Sequence, residues 1–296
     1  MTTTTTTKTT TTRTKEDKRK WSIDKKKALG EALDSFLEAQ FTDPDKIKNL
    51  VDHYRIANLY DYSMTNTALI MAQGGTLAQS YKKWQKLGRY VKKGERGQIY
   101  IYVPLMVSDK RKKEMRAEMA ETSDPAKRLE LGSKIQRNRP FFVLKPVFDV
   151  AQTDGEPLKY EHDNADLLNI PYADVKDKLK GLVKQQIIEA FSGTSRGSCG
   201  ADTITVNPSS NNTDKVKTLI HEVAHAILHH RGEEFNTTSR GGREVEAESV
   251  AHLVMSYLGH PLELSAGYVQ NWQQQGDDYD KIKILTTAEK IIKALK

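Results

Sequence analysis

The sequence predicts an α+β protein, mainly helical with small sheets, divided into two domains. Three observations carry that reading. Apolar residues recur every three or four positions through most of the 296-residue chain, the spacing of amphipathic helices. Residues 98–103 alternate β-branched and aromatic residues instead, as strands do, and 141–150 reads as a second strand. Charge is also split: residues 1–158 hold 30 Lys/Arg and 20 Asp/Glu, whereas residues 159–296 hold 16 and 19. A basic half and a mildly acidic half suggest two tasks; charge alone fits a solvated basic surface better than one facing a polyanion.

The elements follow in order. Residues 1–20 read as a disordered Thr-rich tail, since threonine repeats bury no apolar surface. Ile23, Ala28, Leu29, Ala32, Leu33, Phe36 and Leu37 place an amphipathic helix at 22–40. Thr42-Asp-Pro-Asp45 caps and starts a second helix to about residue 56, and Ser63 caps a third that Gly74-Gly75 ends. Residues 77–87 are helical in pattern, and a Gly-containing turn leads from them into the strand at 98–103. The charged stretch 108–140 reads as a helical insertion across which the two strands pair. Gln152–Pro157 is a turn cluster and marks the domain boundary, giving domains at 21–158 and 159–296. Beyond it the pattern places helices at 173–190, 213–230 and 243–258, and a strand at 203–206.

Composition excludes several classes. No window approaches the roughly 18–20 consecutive apolar residues of a membrane span, and the amino terminus lacks the apolar core of a secretory signal. The one cysteine, Cys199, forms no intrachain disulfide and builds no Cys-cluster zinc site. The expectation is a cytoplasmic protein with no membrane partner, in which any metal is held by His and carboxylates.

The sharpest motif is His221-Glu222-Val-Ala-His225. On a helix, residues four apart stand about 6 Å from one another on one face, so two imidazoles reach one ion while Glu222 between them meets a water. Thr213 can cap this helix, Val216, Leu219, Ile220, Val223 and Ile227 form its apolar stripe, and Gly232 ends it. The third ligand lies elsewhere. A metzincin needs Gly at 228 and His at 231, where this chain has Leu228 and Arg231. His229 is about 12 Å along the axis from His221, so His229 and His230 read as helix-end histidines. In the next helix Glu244, Glu246 and Glu248 compete, and helical phase puts Glu246 nearest the buried face, about 70° from its centre. Glu246 is therefore the expected third ligand, with Zn2+ favoured and Mn2+ or Co2+ fitting the same donors. This two-helix arrangement resembles gluzincins, in which such a motif and a Glu from the next helix hold zinc, and the resemblance implies Glu222 as general base, with Tyr268, His252 and His260 as candidates to stabilise an oxyanion.

A second constellation is basic and aromatic. Between Leu77 and Tyr100 the chain carries seven Lys/Arg against one acid, Glu95. Tyr81, Trp84 and Tyr90 read as rings on which exposed bases stack, and Lys82, Lys83, Lys86, Arg89, Lys92 and Lys93 as phosphate contacts. This favours single-stranded over duplex nucleic acid. The competing structural reading makes Trp84 a core residue and the lysines a solvated face.

More of the chain resembles the ArdC-like antirestriction family. The stretch Tyr62-Ser-Met-Thr-Asn66, the run from Tyr81-Lys-Lys-Trp84 to Gly97, and Pro146-Val-Phe-Asp-Val-Ala-Gln-Thr-Asp-Gly-Glu-Pro157 look like its single-stranded-DNA-binding domain. Residues 218–226 and 244–251 stand where that family's zincin-like metallopeptidase domain follows. The resemblance implies a zincin fold with His221, His225 and Glu246 as ligands, carriage on plasmids, phages or conjugative elements, and protection of incoming DNA from host restriction. It leaves the Thr-rich tail and the insertion at 108–140 unaccounted for. Two other functions fit the same motifs: a DNA-stimulated protease acting on a DNA-bound or restriction-related host protein, and a single-strand-binding protein with a purely structural metal.

Overall fold

The computed structural model describes residues 14–59, 61–136, 140–158, 170–191, 195–229, 238–260 and 279–296. The described residues are mainly helical with three small sheets. The described part begins with three helices: α1 (Lys15–Phe41), α2 (Pro44–Leu59) and α3 (Met64–Ala72). There follow β1 (Ala78–Gln79), α4 (Tyr81–Lys86), β2 (Arg89–Val91) and β3 (Ile99–Leu105), then α5 (Asp109–Glu121), α6 (Pro125–Gln136), β4 (Phe141–Asp149) and β5 (Thr153–Gly155). The second half contains α7 (Tyr172–Leu179), β6 (Gln186–Glu189), β7 (Gly197–Cys199), β8 (Thr203–Val206), α8 (Asn212–Leu228), α9 (Arg240–Tyr257) and α10 (Lys281–Leu295). No helix among the described residues is long and apolar enough to cross a membrane.

The expected pairing of the two strands across the insertion is present. β3 and β4 run antiparallel from Ile99 opposite Val147 to Leu105 opposite Phe141, and α5 and α6 form a helical hairpin at the tip. Along the other edge of β3, one side chain of α3 and that of its C-cap, Gln73, imitate a paired strand. The Asn66 amide exchanges bonds of 2.9 and 3.0 Å with the backbone of Tyr102, and Gln73 exchanges two of 2.9 Å with Tyr100. An edge that would otherwise invite another strand is thereby covered by polar side chains.

Several boundaries differ from the sequence reading. Residues 15–20 of the expected tail are helical, because Thr14 and Asp17 form a capping box that starts α1 at Lys15; residues 1–13 lie outside the described part. In 77–87 the helix begins only at Tyr81, after β1, because Ser80 caps it by accepting from the Lys83 amide. The expected helix at 173–190 stops at Leu179; Gln186–Glu189 is instead a strand parallel to β8, its Ile187-Ile188 pair suiting a pleated surface. Asn211, not Thr213, caps α8. The turn cluster at 152–157 is no free linker, since Thr153–Gly155 pairs with β2.

The two domains share one core. Leu29, Leu33, Leu37, Phe41, Leu50, Val51 and Tyr54 of the first helices join Leu219, Ile220, Val250, Leu253, Leu285 and Ile292 of the second half in one cluster. Polar contacts cross the same seam. Arg55 donates to the Ser256 and Tyr257 carbonyls at the end of α9, and Glu289 accepts from the Met64 amide at 3.0 Å.

Candidate metal centre and basic face

α8 exists because Asn211 satisfies the Asp214 amide at 2.9 Å and because Val216, Leu219, Ile220 and Val223, at most 3% exposed, dock against the second-half core. The opposite face carries His221 and His225. Their Nε2 atoms lie 3.1 Å apart, and Oε2 of Glu244 is 3.5 Å from each. Donors bound tetrahedrally at about 2.0–2.1 Å stand roughly 3.4 Å from one another, so this spacing suits a divalent ion. Among the described residues these three are the group that can hold a metal.

The residue that phase reasoning preferred is elsewhere. Glu246 is buried at 3% exposure, lies 3.2 Å from Nε2 of His229, and accepts from the Asp280 amide at 2.7 Å. It joins α9 to the start of α10 rather than facing the histidine pair. Phase ranks carboxylates by depth, and depth here serves a helix junction, while the cleft lies toward solvent where Glu244 is exposed. The spacing that would have found the cleft face is Glu244 with Glu248, one turn apart. Oε2 of Glu248 approaches Nδ1 of His221 to 3.0 Å, and its Oε1 holds Lys217 Nζ at 2.9 Å.

Electrostatics follow this packing. Hydrogen bonds with His221 and His225 hold the Glu244 carboxyl well below the usual range. Burial works to raise Glu248, but bonds from His221 and Lys217 pull it down to about 2. Burial works to lower His221, yet Glu244 and Glu248 push it up to about 9. His229, at the end of α8, is driven down to about 4 by burial and by the charges of His225 and Arg243. The Glu222 carboxyl is raised, chiefly by burial. Burial and the charge of Glu222 push the Cys199 thiol up to about 11, so it stays protonated beside the site.

These groups line a cleft of about 810 Å³ whose other wall is β7. Gly197 sits tightly on α8: a Cβ there would meet Thr218 Cγ2 at 2.5 Å and Glu222 Oε1 at 3.1 Å. Of the oxyanion candidates, His252 is buried with Nδ1 2.7 Å from the Glu248 carbonyl, and neither His252 nor His260 lines the cleft. Tyr268, His230 and Gly232 lie outside the described residues.

The basic segment divides in two. Trp84 is fully buried and donates through Nε1 to the Phe148 carbonyl at 2.8 Å, so no base can stack on it. Arg89 spends its guanidinium on Thr153, Gly155 and Glu156, and Lys92 donates to the Ala151 carbonyl. Lys83 pairs with Asp61 at 3.1 Å. Tyr81 and Tyr90 remain 49% and 61% exposed, alongside exposed Lys82, Lys86 and Lys93.

Comparison with known proteins places these parts. Residues 37–148 match the N-terminal domain of anti-restriction factor ArdC, and residues 182–259 match the IrrE N-terminal-like domain, Peptidase M78. The chain has the domain make-up of the ArdC-like antirestriction family. The ArdC-like chain is 25% identical over 300 residues to the uncharacterized Bacillus anthracis protein pXO2-81, covering 89% of itself and 50% of that protein. It thus spans about half the length of that curated relative. It also resembles crystal structures of ArdC from plasmid R388, one Mn(II)-bound and one metal-free, at 20% identity and TM-scores of 0.44 and 0.41. Those matches cover 84% of the ArdC-like chain and 96% and 94% of the R388 chains.

Proposed function

We propose that the chain is a cytoplasmic antirestriction protein of a plasmid, phage or conjugative element, which binds incoming single-stranded DNA and carries a metal-dependent peptidase centre. The observation that carries the reading is the meeting of His221, His225 and Glu244 beside buried Glu222, in a protein whose other domain is of ArdC type. The donor set suits zinc, and manganese or cobalt by the same chemistry. A bound ion would supply a Lewis acid for a scissile carbonyl. Glu222, its carboxyl raised by burial, would take a proton from the attacking water and return it to the leaving amine. β7 is the terminal strand of its sheet and lines the cleft, so an extended peptide could lie along it. Exposed Tyr81, Tyr90, Lys82, Lys86 and Lys93 would contact the strand.

A second reading, DNA-stimulated proteolysis of a DNA-bound host protein, is favoured by the shared core. Arg55 of the ArdC-type domain bonds the end of α9, the helix that carries Glu244 at its start. The test is binding of labelled single-stranded and duplex oligonucleotides across a salt series, with metal content assayed in the same sample. Tight, salt-dependent single-strand preference with about one metal per chain supports the proposal. Metal without DNA binding would remove its first half. A Glu222→Ala protein that keeps its metal and full antirestriction function would leave the site structural.

A further inference from the structure

α1 runs beyond the core that holds it. Leu29, Leu33 and Leu37 are buried along one stripe, and the same stripe continues at four-residue steps to Lys25 and Trp21. There the core has ended: Trp21 is 37% exposed. Its ring meets Tyr100 of β3 edge-on, with centroids 5.7 Å apart and planes at 60°. Lys25 Nζ stands 4.7 Å from the centre of the Tyr100 ring. Two rings and a cation therefore form one surface cluster at the junction of α1 and β3.

The surroundings are cationic. Residues 15–27 contain seven Lys/Arg against three Asp/Glu, and Arg19, Lys20, Lys26 and Lys27 are exposed. The 14 residues from Lys15 to Ala28, about 21 Å of helix, precede the stretch matching the ArdC domain, which begins at residue 37. An apolar docking partner would have no use for this charge, whereas a strand with unstacked bases offers phosphates to the lysines and a flat face to the indole.

We propose that Trp21, Tyr100 and Lys25 form a base-stacking platform for single-stranded nucleic acid, where the basic start of α1, outside the ArdC-matched stretch, meets β3 inside it. The inference rests on the single-strand-binding reading above and adds a site to it. Trp21 supplies the stacking face, Tyr100 buttresses it edge-on, and Lys25 and the neighbouring cations hold the phosphates that bring the base into register.

The test uses full-length wild type, Trp21→Ala and Trp21→Tyr with fluorescent dT and rU oligomers and an abasic oligomer of equal length, at matched salt and with thermal melts of each protein. Trp21→Ala should weaken binding of the base-bearing oligomers about 5- to 150-fold, the loss of one stacked base, while Trp21→Tyr restores most of it. Abasic binding and the salt slope should not move. Tighter dT or tighter rU binding then names DNA or RNA as the strand, and either supports the platform if Trp21→Ala removes it. Wild-type affinity in Trp21→Ala, or equal loss on the abasic oligomer, would overturn the platform alone. A wild-type protein that binds none of the oligomers would overturn the single-strand reading itself.

Discussion

Oε2 of Glu248 lies 3.0 Å from Nδ1 of His221 while its other oxygen holds Lys217 Nζ at 2.9 Å. His221 thus has one ring nitrogen turned to a charged, anchored carboxylate and the other turned toward His225 and Glu244. Such a partner fixes the tautomer and orientation of a ligating imidazole. Glu248→Ala should lower metal affinity about 10- to 100-fold while leaving the three donors in place, read by competition with a chromophoric chelator. Unchanged affinity would mean that His221 is oriented by something else.

Glu222 is separable from metal retention. It lies beside the donors without being one of them, buried and with a raised carboxyl. Glu222→Gln should keep about one metal per chain and lose about 10²- to 10⁴-fold in any peptide-bond hydrolysis. Loss of the metal itself would reassign Glu222 from base to ligand.

Metal uptake should depend on pH in a stated direction. Burial works to lower His221, but Glu244 and Glu248 raise it from 6.5 to about 9 in the metal-free protein. A group raised on folding stabilises the metal-free fold fully below its ordinary value, and that contribution is lost as pH rises through about 9. Metal needs the neutral ring, so affinity should climb across this window, and uptake at pH 7.5 should release about one proton from His221. Titration calorimetry in two buffers of different ionisation enthalpy measures this; uptake without proton release would contradict it.

The basic segment should split by variant. Trp84→Ala should cost about 3–5 kcal/mol of stability, because the ring is fully buried and its Nε1 bond to Phe148 goes with it. Neutralising Lys82, Lys86 and Lys93 to Gln should leave the melting temperature nearly unchanged and reduce the salt slope for single-stranded DNA by about 0.7 per residue. An unaltered slope would take these lysines out of the interface.

Much of this was legible before the fold. Helix periodicity found α1, α8 and α9, cap signals found α2 and α3, and alternation found β3, while β4 and β8 also read as strands. The motif spacing placed His221 and His225 on one helical face because four residues is a local distance. What failed was non-local. Glu244 and Glu246 differ only in what lies opposite them, the cleft or the start of α10, and no local periodicity carries that. Arg89 read as a free cation because the carbonyls that absorb it come more than sixty positions later, on and after β5. Residues 183–190 read as helix because a four-residue parallel strand is recognisable only beside β8.

The most direct measurement is metal content per chain in wild type, Glu244→Gln and Glu246→Gln, each purified, loaded with zinc or manganese, desalted and assayed with its melting temperature. The account predicts about one metal in wild type and in Glu246→Gln, the latter with a lowered melting temperature because the buried contacts to His229 and the Asp280 amide lose their carboxylate charge, and almost none in a normally folded Glu244→Gln. A folded Glu246→Gln without metal, beside a fully loaded Glu244→Gln, would contradict it.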